Sequence, residues 1–337
     1  MLRKLLSIFP LLTLAFLSLA APLEPRAPGL IDDLLTGVLS GIPKLIKDIL
    51  DATVSGRSDQ ISSKPLSCTV DACCIWYDIS AELTMQFKDA DDQCNDNARG
   101  AIRLGFHDAG AWDKYSPKGG ADGSFLMNFG EEKRPENNGL QNIRTVLRGV
   151  QSRFNVGYAD LAQYAHNHAT VTCPRGPRIR TFVGRKDATQ AAPSDLLPDA
   201  NDPPETLIEL FEDKGFTPDG LIALIGAHTT SKQRNFDSSP ANVGKPLDTT
   251  PGIWDVEFYN NTLQNPPDSR IFVLPSDRKL AAYSQTQREF KRYVGDQDDW
   301  NEDYAKAWIR MSLNGVTNLG ELSDCTKTLP AARPDGI

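Results

Sequence analysis

The stretch Ala101-Ile-Arg-Leu-Gly-Phe-His-Asp108 decides how the rest of the chain is read. On a helix, Arg103 and His107 stand four residues apart, so both side chains leave one face a turn from each other. A histidine beside an arginine suits the cleavage of a peroxide. The imidazole takes a proton from the near oxygen and returns it to the departing one, while the guanidinium stabilises the negative charge that develops. An amphipathic surface helix carrying a His and an Arg has the same spacing, and this segment alone leaves both readings open.

A second histidine closes the segment Thr217-Pro-Asp-Gly-Leu-Ile-Ala-Leu-Ile-Gly-Ala-His228. Thr217 is a good N-cap and Pro218 a good first-turn residue. Leu221, Leu224, Ile225 and His228 recur at i, i+3, i+4 and i+7, which puts the imidazole at the end of a buried apolar stripe. Such a histidine is commonly a satisfied core residue, but imidazole is also a usual proximal ligand of haem, whose face needs an apolar wall. A ligating imidazole donates its other N–H to a carboxylate. Asp277, in Leu274-Pro-Ser-Asp-Arg278, is the candidate, and a capping role ahead of a helix running from Arg278 to about Tyr293 competes with it.

Outward from these two segments the pattern is helical. Helices are predicted over Asp71 to Phe87, Asn95 to Asp108, Gly139 to Phe154, Tyr158 to His168, Pro204 to Lys214, Pro218 to Thr230, Ser276 to Gly295 and Asn301 to Asn314. Long strands are scarce. Gly-, Pro- and Asp-rich loops cover Trp112 to Asp122, Arg175 to Pro203 and Asn235 to Pro251. No internal repeat or low-complexity tract is present.

Met1 to Ala21 sets Arg3 and Lys4 before the apolar run Leu5 to Leu19 and the small residues Ala20 and Ala21, the pattern of a secretory signal peptide. Later in the chain no apolar run is long enough for a membrane span. Residues 22–67 lack cysteine and histidine and read as a propeptide or N-terminal extension. Leu30, Ile31, Leu34, Leu35, Leu39, Ile42, Leu45, Ile46 and Ile49 fall there at helical spacing, interrupted by Pro43, before a Ser-rich linker from Ser55 to Ser67. The remainder, 68–337, would be the functional domain. Of the 337 residues 40% are hydrophobic, ample for a core, and the net charge of -8 argues against a nucleic-acid partner. Export makes the six cysteines (Cys68, Cys73, Cys74, Cys94, Cys173, Cys325) expected disulfides, with the pairing open at this point. Asn260-Asn-Thr262 is a glycosylation sequon.

With these segments assembled, the chain from about Cys68 to about Cys325 resembles the secreted fungal haem peroxidases, class II of the plant-type peroxidase superfamily. The resemblance implies a mainly α fold of about ten helices in two halves sandwiching haem b, with little β structure. It assigns Arg103, Phe106 and His107 to the peroxide side, with a distal relay mapping onto Asn137 and Glu131, although Asn138 disputes that register. It makes His228 the iron ligand and Asp277 its partner. Two calcium ions are implied. The first takes Asp108, Gly120, Asp122 and Ser124, and the second Thr229, Asp248, Thr250, Ile253 and Asp255; each loop alone would pass for an ordinary Asx turn. The implied disulfides are Cys68–Cys74, Cys73–Cys325 and Cys94–Cys173, and a fourth bridge usual in the family is missing.

Departures from the family narrow the expected activity. Manganese-oxidising relatives place carboxylates where this chain has Asn95, Arg99 and, near the third position, Arg234, so the usual Mn(II) site should be absent. Lignin-type relatives carry a surface tryptophan where Ala223 stands. A substitute route would need Trp112, Trp254 or Trp300 to be exposed, and burial is the expectation for each. Leu247 replaces a common phenylalanine. What remains is a generic, low-potential, secreted and monomeric peroxidase taking hydrogen peroxide and small phenolic or other aromatic reductants, with no nucleic-acid or membrane partner. Two alternatives remain compatible with the residues: a secreted haem- and calcium-binding protein without turnover, and a calcium-dependent polysaccharide hydrolase using Glu131, Glu132 and Asp277.

Overall fold

In the computed structural model the described residues are 39–68 and 71–333. The signal-peptide reading of Met1 to Ala21 and the apolar positions Leu30 to Leu35 lie outside them. Eleven α-helices follow in order among the described residues: α1 (Gly41–Leu50), α2 (Cys74–Phe87), α3 (Asp96–Ala109), α4 (Gln141–Phe154), α5 (Tyr158–Thr172), α6 (Pro204–Asp213), α7 (Pro218–Ile225), α8 (Glu257–Leu263), α9 (Pro275–Ala282), α10 (Gln287–Arg292) and α11 (Gln297–Met311). β structure amounts to one short antiparallel pair, β1 (Phe182–Val183) with β2 (Ser323–Asp324). No helix among the described residues is long and apolar enough to cross a membrane.

The helices form two groups. In the first, α3 lies along α5 and also touches α2 and α4; in the second, α7 packs on α6, α10 and α11, and α8 on α9 and α10. Every residue of α5 after Tyr158 is buried, as expected of a helix enclosed on all sides. It runs past the predicted end at His168 to Thr172. There Thr170 and Thr172 donate their hydroxyls to the carbonyls of His166 and His168, so these polar groups are satisfied inside the core.

Other boundaries shift for local reasons. The helix predicted from Ser276 to Gly295 is two, α9 and α10, because Tyr283 is extended and the Thr286 hydroxyl closes the first on the Leu280 carbonyl at 2.6 Å. Pro43 does not break α1, since it falls in the first turn, where a missing N–H costs nothing. A further helix, α8, arises in a segment with no predicted element. Its Glu257 N–H bonds to Asp255 Oδ1 at 2.9 Å.

Residues preceding Cys68 are partly built into the body. Ile46 and Ile49 of α1 are fully buried against it. Arg57 bonds to Glu302 and Asp298 of α11, and Arg178 holds the carbonyls of Ser58 and Gln60. Residues 61–68 are exposed. Disulfides join Cys68 to Cys74, Cys73 to Cys325 and Cys94 to Cys173, and no described cysteine is unpaired.

Candidate active site

Helix α3 is capped by Asn95, whose Oδ1 accepts from the N–H groups of Asn97 and Ala98 at 2.9 and 3.1 Å. Its close approach to α5 depends on Gly105, where a Cβ would stand 2.7 Å from that of His166. Arg103 and His107 meet on one face, with Arg103 Nε donating to His107 Nε2 at 3.1 Å. On the other side of the ring, His107 Nδ1 lies 2.7 Å from Asn137 Oδ1. The Asn137 amide is oriented by its Nδ2, which donates to the Glu131 carbonyl at 2.8 Å. Oδ1 can then only accept, so the imidazole proton is assigned to Nδ1 and Nε2 presents a lone pair.

Electrostatics reinforce that state. Burial, and then the charge of Arg103, lower the His107 pKa to about 3 against the Asn137 bond, so the ring is neutral at ordinary pH. Burial also lowers Arg103 to about 10, which leaves it a cation. Its Nη1 and Nη2 donate to the carbonyls of Asn138 and Glu136, each at 2.8 Å. Asn137 thus meets the histidine with its side chain, and Asn138 meets the arginine with its backbone. Glu131 joins the relay through its main-chain carbonyl rather than as an acid. Its carboxylate instead accepts from the Ala192 N–H at 2.9 Å, because the chain turns there as a tight 3-10 helix, Glu131–Lys133.

Phe106, next to His107, stacks on Phe211 of α6 with ring centres 6.2 Å apart. Sequence reading gave no hint of Phe211, which lies far along the chain.

The segment predicted as one helix to Thr230 is α7 to Ile225 and then a 3-10 turn, Gly226–Thr230, that carries His228. Gly226 permits this, since a Cβ there would fall 2.4 Å from both Trp300 Nε1 and the Tyr259 hydroxyl. His228 Nδ1 lies 3.1 Å from Asp277 Oδ2, whose side chain is 2% exposed against 33% for the histidine. Asp277 sits inside α9, which begins at Pro275, so the competing reading of a cap before Arg278 does not describe it. Nε2 of His228 has no hydrogen-bond partner among the described residues. Phe258 stands edge-on to the ring at 5.6 Å, another neighbour that only the fold supplies.

The two sides meet at one edge. Asn235, on the loop that leaves His228, donates Nδ2 to the Asn138 carbonyl at 2.9 Å, the same oxygen that accepts from Arg103. The remaining histidines are core residues: His166 bonds to the Ile102 carbonyl and the Tyr304 hydroxyl, and His168 to the Ser80 carbonyl.

Each histidine is followed by a buried polar loop. Asp108 accepts from Gly123 and Phe125 N–H and from Gln163, and Asp122 from Ser124 N–H. The Gly120 carbonyl accepts from Asp122 N–H at 2.8 Å, and the buried Ser124 hydroxyl stands near the Asp122 and Glu131 carboxylates. Burial, then the neighbouring Asp122, push Asp108 well above the carboxylate range; burial brings Asp122 up to about 6. After His228, Thr229 donates to Asp248 and Asp255, and Thr250 to Asp255 at 3.1 Å. Ile253 lies between them, its N–H on the Thr250 carbonyl. Burial raises Asp248 to about 8 and Asp255 in the same direction. Each loop brings two carboxylates together with hydroxyl and main-chain oxygens. No group of three His, Cys, Asp or Glu side chains converges among the described residues.

The departing positions are placed as follows. Asn95 is consumed as the α3 cap, and Arg99 and Arg234 both bind Asp96. Ala223 is 1% exposed and lines a cavity of about 740 Å³ that Lys47 and Leu50 of α1 also line. No proposed peroxide-side, haem or calcium residue lines that cavity. Leu247 is buried, and so are all five tryptophans, Trp76, Trp112, Trp254, Trp300 and Trp308. Asn260 is exposed on α8.

Comparison with known proteins gives the family of the chain. A family model described as Peroxidase matches residues 80–296, more than half of the chain. A peroxidase of Arthromyces ramosus is 29% identical over 285 residues, 77% of this chain and 76% of that protein. Ligninase C of Trametes versicolor is 30% identical over 295 residues, 79% and 77% of the two chains. A low-redox potential peroxidase of Taiwanofungus camphoratus is 31% identical over 232 residues, 64% and 69%.

Proposed function

Since the chain belongs to the peroxidase family, as a plant-type haem peroxidase that uses hydrogen peroxide, we propose that Arg103 and His107 work on the peroxide and that His228 holds the iron. The observation that carries this reading is a pair of imidazoles, each oriented through Nδ1 by a buried acceptor, with the Nε2 lone pair of His107 turned to Arg103 and Nε2 of His228 without a hydrogen-bond partner among the described residues. His228 fits a haem ligand: a buried carboxylate holds its Nδ1, while Nε2 has no partner among the described residues and the ring remains accessible. Haem b, when bound, supplies the iron centre that accepts oxidising equivalents from peroxide.

The residues do the rest. Neutral His107 takes the proton from the near oxygen of peroxide on Nε2 and returns it to the departing oxygen, which leaves as water. Arg103 supports the negative charge that builds as the O–O bond breaks. Asn137 keeps Nδ1 protonated, so the base faces the substrate throughout, and Phe106 closes the wall beside it. Per peroxide, two donor molecules each give up one electron and one proton, and two waters form. The donors are small phenolic or other aromatic molecules taken at the haem edge. The low-potential type rests on the buried tryptophans, on Ala223 and on the likeness to a relative of that description.

Two calcium ions are part of the reading. Asp108, Gly120, Asp122 and Ser124 would hold one, and Thr229, Asp248, Thr250, Ile253 and Asp255 the other. The crowded carboxylates support them, because a cation would relieve their mutual repulsion. We also propose a secreted, monomeric enzyme, glycosylated at Asn260, with a signal peptide to Ala21, an extension over 22–67 and the catalytic domain from 68. Absorption spectroscopy and steady-state assays test the core reading. Haem-loaded protein should show a Soret band and oxidise phenols with peroxide, and His228→Ala should lose that iron ligation and regain it with added imidazole. An unaltered spectrum in His228→Ala would overturn the assignment.

A further inference from the structure

Beside the shared Asn138 carbonyl lies a positive island in an acidic protein of net charge -8. Arg99, Arg234 and Lys232 reach one carboxylate, Asp96, at 2.7, 2.9 and 3.9 Å. Three cations against one anion leave an excess of positive charge, which Asp89 offsets only at longer range. Burial, and then repulsion from Arg99, lower the Lys232 pKa, as crowding of like charge requires. Arg99 is mostly enclosed, its guanidinium also holding the Cys94 and Pro251 carbonyls. Arg234 and Lys232 remain accessible, their side chains 51% and 29% exposed.

The loop that displays them is ordered by its own bonds. The buried Gln233 side chain accepts from the Phe236 and Asp237 N–H groups and donates to the Asp237 and Asn242 carbonyls. Two residues after Arg234, Phe236 is 40% exposed and packs against Phe272. Asn235, between them, ties the loop to the oxygen that also holds Arg103. An exposed apolar ring and accessible cations therefore share one five-residue stretch of loop, tied through Asn235 to the oxygen that holds Arg103.

We propose that Arg234, Lys232 and Phe236 form a docking site for aromatic reductants that carry a carboxylate, so that the enzyme favours these anions over neutral phenols. The site rests on the reading above that donors are oxidised at the haem edge. The two cations attract the carboxylate, and the Phe236 ring covers the aromatic body of the donor.

The test compares para-hydroxycinnamate with its neutral methyl ester on the haem-loaded enzyme at about pH 6, where the carboxylate is ionised. At low ionic strength kcat/KM should favour the acid about tenfold, a typical steering effect, and mainly through KM. Salt near 0.5 M should bring the ratio towards one, because screening then acts within a few ångströms. The double substitution Arg234→Glu with Lys232→Glu should remove the preference while leaving the ester's kinetics unchanged, and Arg234→Lys should retain it. Equal use of acid and ester by the native enzyme, insensitive to salt, would overturn the docking site and leave the peroxidase reading standing. If the ester is not oxidised either, the donor reading falls and the inference with it.

Discussion

Removing calcium should weaken the folded protein more with each step in pH from about 6 to about 8, whereas calcium-saturated protein should hold its stability. Buried carboxylates are the cause. Burial raises Asp248 to about 8 from the ordinary 3.8, and it drives Asp108 well upward too. Without a cation the folded state keeps protons on these groups that the unfolded chain has already released. A carboxylate raised in the folded state contributes stability at low pH that is lost as the pH climbs towards its folded value. For Asp248 the window runs from about 4 to about 8, and at ~1.4 kcal/mol per unit about 4 kcal/mol is gone by pH 7. Calcium reverses the preference because it binds the ionised form.

The buried histidines act in the opposite sense. Burial lowers His107, His166 and His168 to about 3, 3 and 4, so they cost stability as the pH falls below the ordinary 6.5. Comparing loaded and chelated protein at the same pH cancels that contribution. Denaturant midpoints at pH 6, 7 and 8 should then show a gap that widens by about 1.4 kcal/mol per pH unit for each carboxylate deprotonated on binding. A gap that is absent, or constant across the range, would refute the calcium assignment together with the charge argument behind it.

Three shorter predictions concern the catalytic side and the packing beneath it. His107→Leu should slow the reaction with peroxide by about 10²–10⁴-fold while haem stays bound, and near-native stopped-flow rates would remove His107 from the mechanism. In the native enzyme that rate should be flat from pH 5 to 8 and fall only towards pH 3, because the base form of His107 persists down to about 3; an acid limb near 6 would contradict the geometry. Gly105→Ala should destabilise by about 1–3 kcal/mol, since its methyl would press on the His166 Cβ, and an unchanged melting curve would show that α3 and α5 can separate at no cost.

Much of the site was legible in one dimension because its first layer is helical and local. Arg103 and His107 are one turn apart on α3, His228 ends the apolar stripe that begins in α7, and the polar loops start beside each histidine. Helical spacing alone could not tell these from surface residues, and the ordered motifs resembling a family supplied the difference. The alternatives fade for structural reasons: Glu131 is committed to Ala192 N–H, and Asp277 to His228. Boundaries moved where a side chain overrode periodicity, as Thr286 does after α9.

By itself, then, the sequence determined most of the helices and the one-turn spacing of Arg103 and His107, since helix geometry acts over four residues and needs no distant partner. Tertiary structure decided the protonation state of His107 through Asn137, thirty residues on, and the accessible Nε2 of His228 through Asp277, forty-nine on. It also placed Phe211 and Phe258 against the site and brought Lys232 and Arg234 to Asp96. Those contacts join segments far apart in the chain, so they form only when the helices pack, and no local pattern encodes them.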